Sequence, residues 1–215
     1  MKDYEWIFQA LIALGTFLAV LVALFGDWAK NKWFKPKLSL RLLSRLGTRQ
    51  RTAVGAPERD GGGTRIADAR YYHLQVSNAK RWPPATHVQV HLLQIEELGP
   101  DRSLRVAWCG DLPLIWQHQQ IYPLARTIGA DAACDFFCVL EHKWVSLQTV
   151  ITPIGFDFAQ RRQPFSGVVF TVQARSLEVD TVPRRYRVSW DGQWAEGEVE
   201  MSRHFVIEEL ETPAF

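Results

Sequence analysis

Arginines next to aromatic residues are the part of this sequence best suited to binding chemistry. Arg184, Arg185 and Arg187 lie beside Tyr186 and Trp190. A guanidinium group pairs with phosphate oxygens through two N–H groups, and an aromatic ring provides a face on which a base stacks. We therefore predict an anionic, nucleotide-like ligand here. The same residues equally suit an exposed edge strand, where charge prevents one sheet from pairing with another.

A second basic cluster has the same two interpretations. Arg161 and Arg162 form one basic pair, and Lys80 and Arg81 form another that we group with it. Arg161 and Arg162 are candidate contacts for an anionic ligand, and the alternative is again a charged strand face.

Residues that could bind a metal are not spaced for it. His87 and His91, like Cys134 and Cys138, are four positions apart, which on a strand is about 13 Å, too far for one zinc ion. Gly61–Gly63 is not followed by the Lys-Ser/Thr of a phosphate-binding loop, and no nucleophile or zinc-protease motif is present. We predict no catalytic residue, no metal and no cofactor, and therefore a non-enzymatic protein.

The dominant element of the chain is the stretch Trp6–Phe25, which has no charged residue. Twenty helical residues extend about 30 Å, the thickness of the hydrocarbon core of a bilayer. A secretory signal peptide and a buried helix of a soluble protein are the alternatives. A signal peptide fits poorly, because Asp3 and Glu5 lie where it needs positive charge and the apolar run is too long. We predict a transmembrane anchor over residues 1–27.

The basic residues after this stretch predict its orientation. Residues 28–51 carry eight Lys or Arg and no acidic residue, and such an excess marks the cytoplasmic side. We expect a bacterial inner-membrane protein with its N-terminus outside, a basic juxtamembrane linker at residues 28–36 and a cytoplasmic domain at residues 37–215. Membrane lipids are predicted partners, and the lysines expected to face them are Lys30, Lys32, Lys35 and Lys37.

Small residues on the predicted span suggest that it self-associates. Gly15, Ala19 and Ala23 recur every four residues, a spacing that lets two helices approach closely in lipid. Gln9 and Thr16, the polar side chains of the span, share one side of the helix. We predict helix packing through these five residues in a homo-oligomer; a passive anchor is the alternative.

The remainder of the chain is predicted to be mainly β. Short segments with alternating or β-branched residues recur about every ten positions, and Leu92-Leu93 breaks the alternation as a β-bulge does. Asp191-Gly192 is typical of a two-residue hairpin turn. Residues 44–70 show no periodicity, so we predict a long mobile loop there, either a solvated insertion or an Arg-rich contact with lipid or an anionic ligand. The fold class is an antiparallel β-sandwich, favoured over a barrel.

Two resemblances follow from these segments. Residues 72–78, together with 84–90, resemble the strand, Asn-containing turn and Pro-Ala-x-x-Val-x-Val strand of immunoglobulin-like bacterial domains, which implies an immunoglobulin-like sandwich. The whole layout, one N-terminal span and a cytoplasmic β domain, resembles the membrane effectors of bacterial antiphage defence. That resemblance implies a β domain that senses a nucleotide and spans that assemble to breach the membrane.

Two functions remain open from the sequence. The first is a membrane-tethered β-sandwich that binds a cytoplasmic protein or a small anionic ligand. The second is an oligomeric effector in which that ligand changes how the spans pack and so permeabilises the membrane or opens a channel. Residues 52–215 carry sixteen basic and twenty acidic residues, and this net negative charge gives no support to nucleic-acid binding.

Overall fold

The computed structural model describes residues 5–33, 35–55, 64–99, 101, 103–117, 124–141, 144–152, 158 and 161–211. Within these residues one long helix precedes two antiparallel sheets, and a short helix lies before the last strand. The helices are α1 (Glu5–Trp33) and α2 (Glu198–His204). The strands are β1 (Leu38–Leu42), β2 (Thr48–Gly55), β3 (Thr64–Asn78), β4 (Ala85–Leu98), β5 (Leu104–Pro113), β6 (Arg126–Ile128), β7 (Asp131–Leu140), β8 (Trp144–Leu147), β9 (Phe165–Arg175), β10 (Arg184–Trp190) and β11 (Phe205–Leu210).

Helix α1 contains an apolar stretch, Ile7–Gly26, that is long enough to cross a membrane. Its alanines and leucines are strong helix formers, and no proline occurs before Pro36. No residue of this stretch is buried against the rest of the protein, so its apolar side chains lack a core to pack in. By length and composition it is a membrane anchor or a signal sequence, since both share these properties.

The first sheet is organised around β3. Its order is β1-β3-β7-β8, and β2 pairs with the N-terminal half of β3. Leu38, where β1 begins, lies opposite Asn78 at the end of β3, and Ser77 lies opposite Asp131 at the start of β7. The start of β1, the turn after β3 and the start of β7 therefore share one end of the sheet, which we call the near end.

The second sheet has the order β11-β10-β9-β4-β5, with β6 beside the first residues of β4. Strand β4 follows β3 through a short turn, so it begins at the near end. Gln89 pairs with Arg175, so β9 ends there too. Trp190 pairs with Phe165 and with Phe205 at the opposite end, which we call the far end.

Aromatic rings from both sheets form the core between them. The ring centroids of Tyr72 and Phe205 are 4.6 Å apart, and those of Phe137 and Phe170 are 5.0 Å apart at an interplanar angle of 82°. Each pair joins the first sheet to the second. The second pair is edge-to-face, and such a contact adds about 0.5–1.5 kcal/mol to the burial of the rings. The predicted mainly β chain with one N-terminal helix and antiparallel sheets is confirmed, whereas the immunoglobulin-like topology stays a prediction.

The predicted mobile loop at residues 44–70 is wrong for most of its length. Residues 48–55 form β2 and residues 64–70 belong to β3, and the two strands pair from Thr48–Tyr71 to Gly55–Thr64. Residues 56–63 lie outside the described part of the chain. The described side chains of β2 are exposed or half-buried, and hydrophobic alternation arises only when one face of a strand is buried. The sequence therefore carries no periodic signal for β2.

The hairpin predicted at Asp191-Gly192 is also wrong. Gly192 does adopt a positive φ of 87°, but the partner of β10 is β11, and residues 191–204 connect the two strands. The alternating segment Glu196–Met201 suggests a strand from its sequence, but residues 198–201 belong to α2. Met201 is the buried residue of that helix, and its acidic first turn and basic last turn favour the helical dipole.

The predicted β-bulge is confirmed. Leu92 pairs with Val172 and Gln94 with Thr171, which leaves Leu93 as the extra residue on β4. The pairing of β4 with β5 is also irregular between Leu92 and Gln94, and it shifts a second time between Ile95 and Glu96. The pairing with β9 shifts at the first position alone.

Candidate functional site

The arginines of β10 that are predicted to bind an anion each lie beside a glutamate. The ion pairs are Arg184–Glu209, Arg185–Glu96 and Arg187–Glu208, with N–O distances of 3.2, 2.7 and 3.9 Å. Strand β10 lies between β9 and β11, so it is an interior strand and not an edge strand. Tyr186 and Trp190 are buried in the core. The arginines thus pair within the sheet surface, and the neighbouring rings offer no free face to a ligand.

Arg161 and Arg162 lie apart from the basic pair with which we grouped them. Arg161 donates to Glu97 at 3.0 Å, and its guanidinium carbon lies 4.6 Å from the centre of the Phe158 ring. Arg162 lies over the Trp144 ring at 5.7 Å. These contacts are on β8 and the last residues of β4, whereas Lys80 and Arg81 are in the turn at the near end. The structure does not form the combined basic cluster.

The predicted helix-packing residues are all accessible on α1. Gln9, Ala19 and Ala23 are exposed, and no atom lies within 4 Å of the point where a side chain at Gly15 would begin. The Thr16 hydroxyl donates to the carbonyl of Ile12 at 2.9 Å, which leaves its oxygen only as an acceptor. These five residues are therefore accessible to a second helix, and Gln9 is the side chain among them that can still donate a hydrogen bond.

Two of the four predicted lipid-facing lysines have described side chains. Lys35 and Lys37 are exposed, and the side chains of Lys30 and Lys32 lie outside the described residues. Pro36, between Lys35 and Lys37, is buried. The chain is therefore already packed on the sheets two residues before β1 begins.

The histidines and cysteines considered as metal ligands lie on separate surfaces. His87 is exposed and His91 is half-buried on β4, while Cys134 and Cys138 are buried free thiols on β7. Within the described ranges, no three His, Cys, Asp or Glu residues are placed to hold one metal ion.

One surface groove lies on the outer face of β4 and β9 at the near end. It encloses about 410 Å³ and is lined by His87, Gln89, His91, Ala125, Arg175, Ser176 and Leu177. The two oxygens of Asp111 lie 2.5 Å from His91 Nδ1 and 2.7 Å from Arg175 Nη1. Burial lowers the pKa of His91, against the opposing effect of Asp111. Because the carboxylate already pairs with Arg175, this groove has little positive charge left for an anion.

A second groove lies at the far end, between β9, β10, the end of α2 and the start of β11. It encloses about 390 Å³ and is lined by Pro164, Phe165, Ser166, Ser189, Trp190, Asp191, Arg203, His204 and Val206. The first residues of β9 and the last of β10 form its mainly apolar floor. Arg203 is exposed at its rim, and among the described residues it forms no ion pair. An apolar floor with one cation at the rim suits a small ligand with an anionic group.

A histidine–aspartate pair fixes one wall of this far-end groove. His204 Nδ1 lies 2.8 Å from Asp191 Oδ2, and the Gln193 backbone N–H donates to Asp191 Oδ1 at 2.9 Å. Burial alone raises the pKa of Asp191, but the bonds from His204 and Gln193 outweigh it, and the pKa lies below its ordinary range. Asp191 is therefore ionised at neutral pH and holds the His204 ring in place beside Arg203.

Two buried polar residues, Arg70 and Asn78, join separate connections of the chain by hydrogen bonds. The sequence analysis assigned neither of them a role. Arg70 is fully buried and donates to the carbonyls of Leu46 at 3.2 Å and Glu196 at 2.7 Å. Asn78 is 3% exposed, and its amide joins the chain entering β1 to the turn after β3. For Arg70 the available signal is the alternation of Ala67 and Ala69 with charged residues, which indicates a strand but not which face is buried.

Comparison of the chain with protein-family models, with curated proteins and with solved structures found no match.

Proposed function

We propose that this chain is a non-enzymatic, single-pass protein of the bacterial inner membrane whose cytoplasmic β-sandwich binds a small anionic ligand or a protein. The observation that carries the proposal is the contrast between α1 and the sheets. The apolar stretch Ile7–Gly26 is unburied, while the fold that begins at Leu38 has a complete core of its own. An apolar helix without a protein partner is stable in a bilayer, where its backbone bonds are satisfied internally.

The far-end groove is the binding site in this proposal. It lies at the opposite end of the sheets from Leu38, where the chain arrives from α1, so it faces the cytoplasm when α1 spans the membrane. Arg203 at its rim supplies a guanidinium that pairs with phosphate or carboxylate oxygens. The apolar floor accepts the uncharged part of the ligand, and the Asp191–His204 pair lines one wall of the groove.

The ligand proposal is tested with the full chain in detergent micelles. We expect pyrophosphate and a nucleoside monophosphate to raise the melting temperature of the wild type, because a ligand that binds only the folded state stabilises it by mass action. Arg203→Gln should lose most of this shift. The matched control is Arg45→Gln, an exposed arginine before β2, which should keep it.

Equal shifts in the two variants would show that the anions act through general charge, and the far-end groove would lose its support. No shift in the wild type, together with capture of a cytoplasmic protein that Arg203→Gln abolishes, would assign the groove to a protein ligand instead.

A second candidate function is an oligomeric effector that permeabilises the membrane, in line with the layout resemblance to antiphage effectors. The observation that favours it is the open row of small residues on α1, with empty space at Gly15 and exposed alanines at positions 19 and 23. Close packing of small residues is one of the few forces that associate helices in lipid.

Substitutions in that row separate the effector from a passive anchor. Gly15→Ile and Ala19→Ile should weaken self-association in detergent and reduce dye leakage from cells that express the protein, because a bulky side chain separates the helix backbones. Leu18→Ile and Leu21→Ile, outside the row, are matched controls and should change little. A monomeric wild type that leaves the membrane intact would leave α1 as an anchor alone.

A further inference from the structure

The turn between β3 and β4 carries the most exposed tryptophan of the described fold outside α1. Trp82 has 73% of its surface accessible. Lys80 and Arg81 precede it and are also exposed. An indole ring is large and mostly apolar with one polar N–H group, and tryptophan is enriched at protein interfaces and in membrane-interface belts.

Hydrogen bonds place this turn next to the chain that leaves α1. The backbone N–H of Lys37 donates to Asn78 Oδ1 at 3.1 Å, and the N–H of Ala79 donates to the carbonyl of Lys37 at 2.9 Å. Helix α1 ends at Trp33 and β1 begins at Leu38. Five residue steps cover at most about 18 Å, so the turn lies close to the end of α1 whatever direction the helix takes.

The turn also has a fixed shape. Asn78 is buried, and its side-chain N–H groups donate to the carbonyls of Pro83 at 2.9 Å and Ile128 at 3.4 Å. The residue that closes the turn on the β4 side, Thr86, bonds through its backbone N–H to Glu178 at 3.0 Å. The Trp82 side chain is therefore presented from a turn that three separate parts of the chain hold in place.

Two more exposed apolar side chains lie at the same end. Leu177, in the connection between β9 and β10, has 74% of its surface exposed, and its N–H donates to the carbonyl of Thr86 at 3.2 Å. Val182 in the same connection is 64% exposed. The near end thus presents one tryptophan and two aliphatic side chains in the direction from which the chain arrives.

From these observations we propose that the near end docks on the surface of the anionic membrane through Trp82, with Lys80 and Arg81 beside the lipid headgroups. The inference rests on α1 as the membrane anchor, and it adds a second contact that fixes how the domain stands on the bilayer. Tryptophan prefers the membrane–water interface, and each basic residue near anionic lipid contributes about 1 kcal/mol.

Charge around the turn favours lipid over a basic or neutral protein surface. No acidic residue occurs in residues 28–51 or 69–95, which include the whole turn and the chain from α1 to β1. The exposed basic residues there include Lys35, Lys37, Lys80 and Arg81. Asp131, Glu178 and Asp180 lie at the same end and oppose the attraction; Asp131 begins β7, and Glu178 and Asp180 are in the connection that also carries Leu177 and Val182. The basic side of the near end is the one that continues directly into the membrane-spanning helix.

Fluorescence quenching by brominated lipid tests the docking. The full chain is reconstituted in vesicles of phosphatidylcholine and phosphatidylglycerol, with and without brominated acyl chains, and the quenched intensity is compared between wild type and variants. We expect Trp82→Phe to lose part of the quenched intensity, because its indole lies within reach of the acyl chains. Trp194→Phe, at the far end, should leave the quenched intensity unchanged.

Two further variants keep the test decisive. Lys80→Gln combined with Arg81→Gln should reduce the contribution of Trp82, and added salt should reduce it further in the wild type, because exposed charges are screened within about 8 Å at physiological ionic strength. Trp28→Phe reports on α1 alone, since Trp28 lies two residues beyond the apolar stretch.

The outcomes separate the docking from the anchor. If Trp28→Phe loses quenched intensity and Trp82→Phe does not, α1 is inserted and the docking proposal is overturned. If neither variant loses intensity, the membrane anchor itself is wrong. If Trp82→Phe instead abolishes self-association without any change in quenching, the surface binds a second copy of the chain and the lipid proposal is overturned.

Discussion

Replacing Arg70 with methionine removes a buried cation and leaves an unbranched apolar side chain that is two atoms shorter. Arg70 lies on β3, is fully buried, and bridges the connection before β2 to the connection before α2 by donating to Leu46 O and Glu196 O. Gly47 beside it has a φ of 67°, and a Cβ there would approach the Arg70 side chain to 2.8 Å. One connection of the first sheet and one of the second are therefore joined through the Arg70 side chain.

The expected cost follows from the two bonds that disappear. A hydrogen bond from a charged donor contributes about 1.5–3 kcal/mol, but removing the buried charge also removes its desolvation penalty. We expect Arg70→Met to lower the free energy of unfolding by about 2–4 kcal/mol. For a fold of this size that corresponds to a fall of about 4–16 °C in melting temperature.

Urea unfolding of the full chain in detergent, followed by tryptophan fluorescence, measures this change. The matched control is Arg41→Met, because Arg41 also makes two hydrogen bonds, to Gln75 at 3.0 and 2.8 Å, but is exposed. A surface change of that kind should stay within about 0.5 kcal/mol. If Arg70→Met is as stable as the wild type, the desolvation of the guanidinium cancels its bonds and the bridging argument is refuted.

Two further predictions concern pH and topology. The pKa of His91 is lowered from its ordinary value of 6.5, chiefly by burial, so the fold favours the neutral ring; stability should be complete above pH 6.5 and fall as the pH decreases below it. His91→Gln should flatten this fall in urea midpoints measured between pH 7 and 5.5, and an unchanged slope would contradict the assignment. A reporter active only in the cytoplasm, fused after Phe215, should be active because the basic flank follows the span, whereas activity of a periplasmic reporter at that position would reverse the topology.

The strands that could be predicted from the sequence are those with one buried face. Val88, Val90 and Leu92 alternate because they line the core, and the change of phase at Leu93 is visible because both flanking segments are half-buried. Strand β2 has no such face, so its exposed threonines and arginines look like a loop. The segment around Met201 does show a pattern, but the pattern is ambiguous. One buried residue among glutamates fits a strand and a single turn of helix equally well.

The surfaces were harder to predict because their partners are distant in sequence. Arg185 is neutralised by Glu96, which is 89 positions away, and no local pattern connects them. Likewise, Asp191 and His204 meet only because a connection that contains α2 returns the chain to the end of β10. Trp82 beside two basic residues was visible in the sequence, but its position near the end of α1 depends on the pairing of β1 with β3.

The pairing of β11 with β10 also determines when the fold can be completed during synthesis. Phe205 of β11 packs on Tyr72 and Phe137 of the first sheet, so the core stays open until this final strand has left the ribosome. Helix α1 and strands β1 to β10 precede β11 in the chain, so they are synthesised before the residues that complete the core. Until β11 pairs, the aromatic residues of the core stay exposed, and non-local pairing of this kind is slow and prone to aggregation. Chaperones would have most to protect in the interval before β11 pairs with β10.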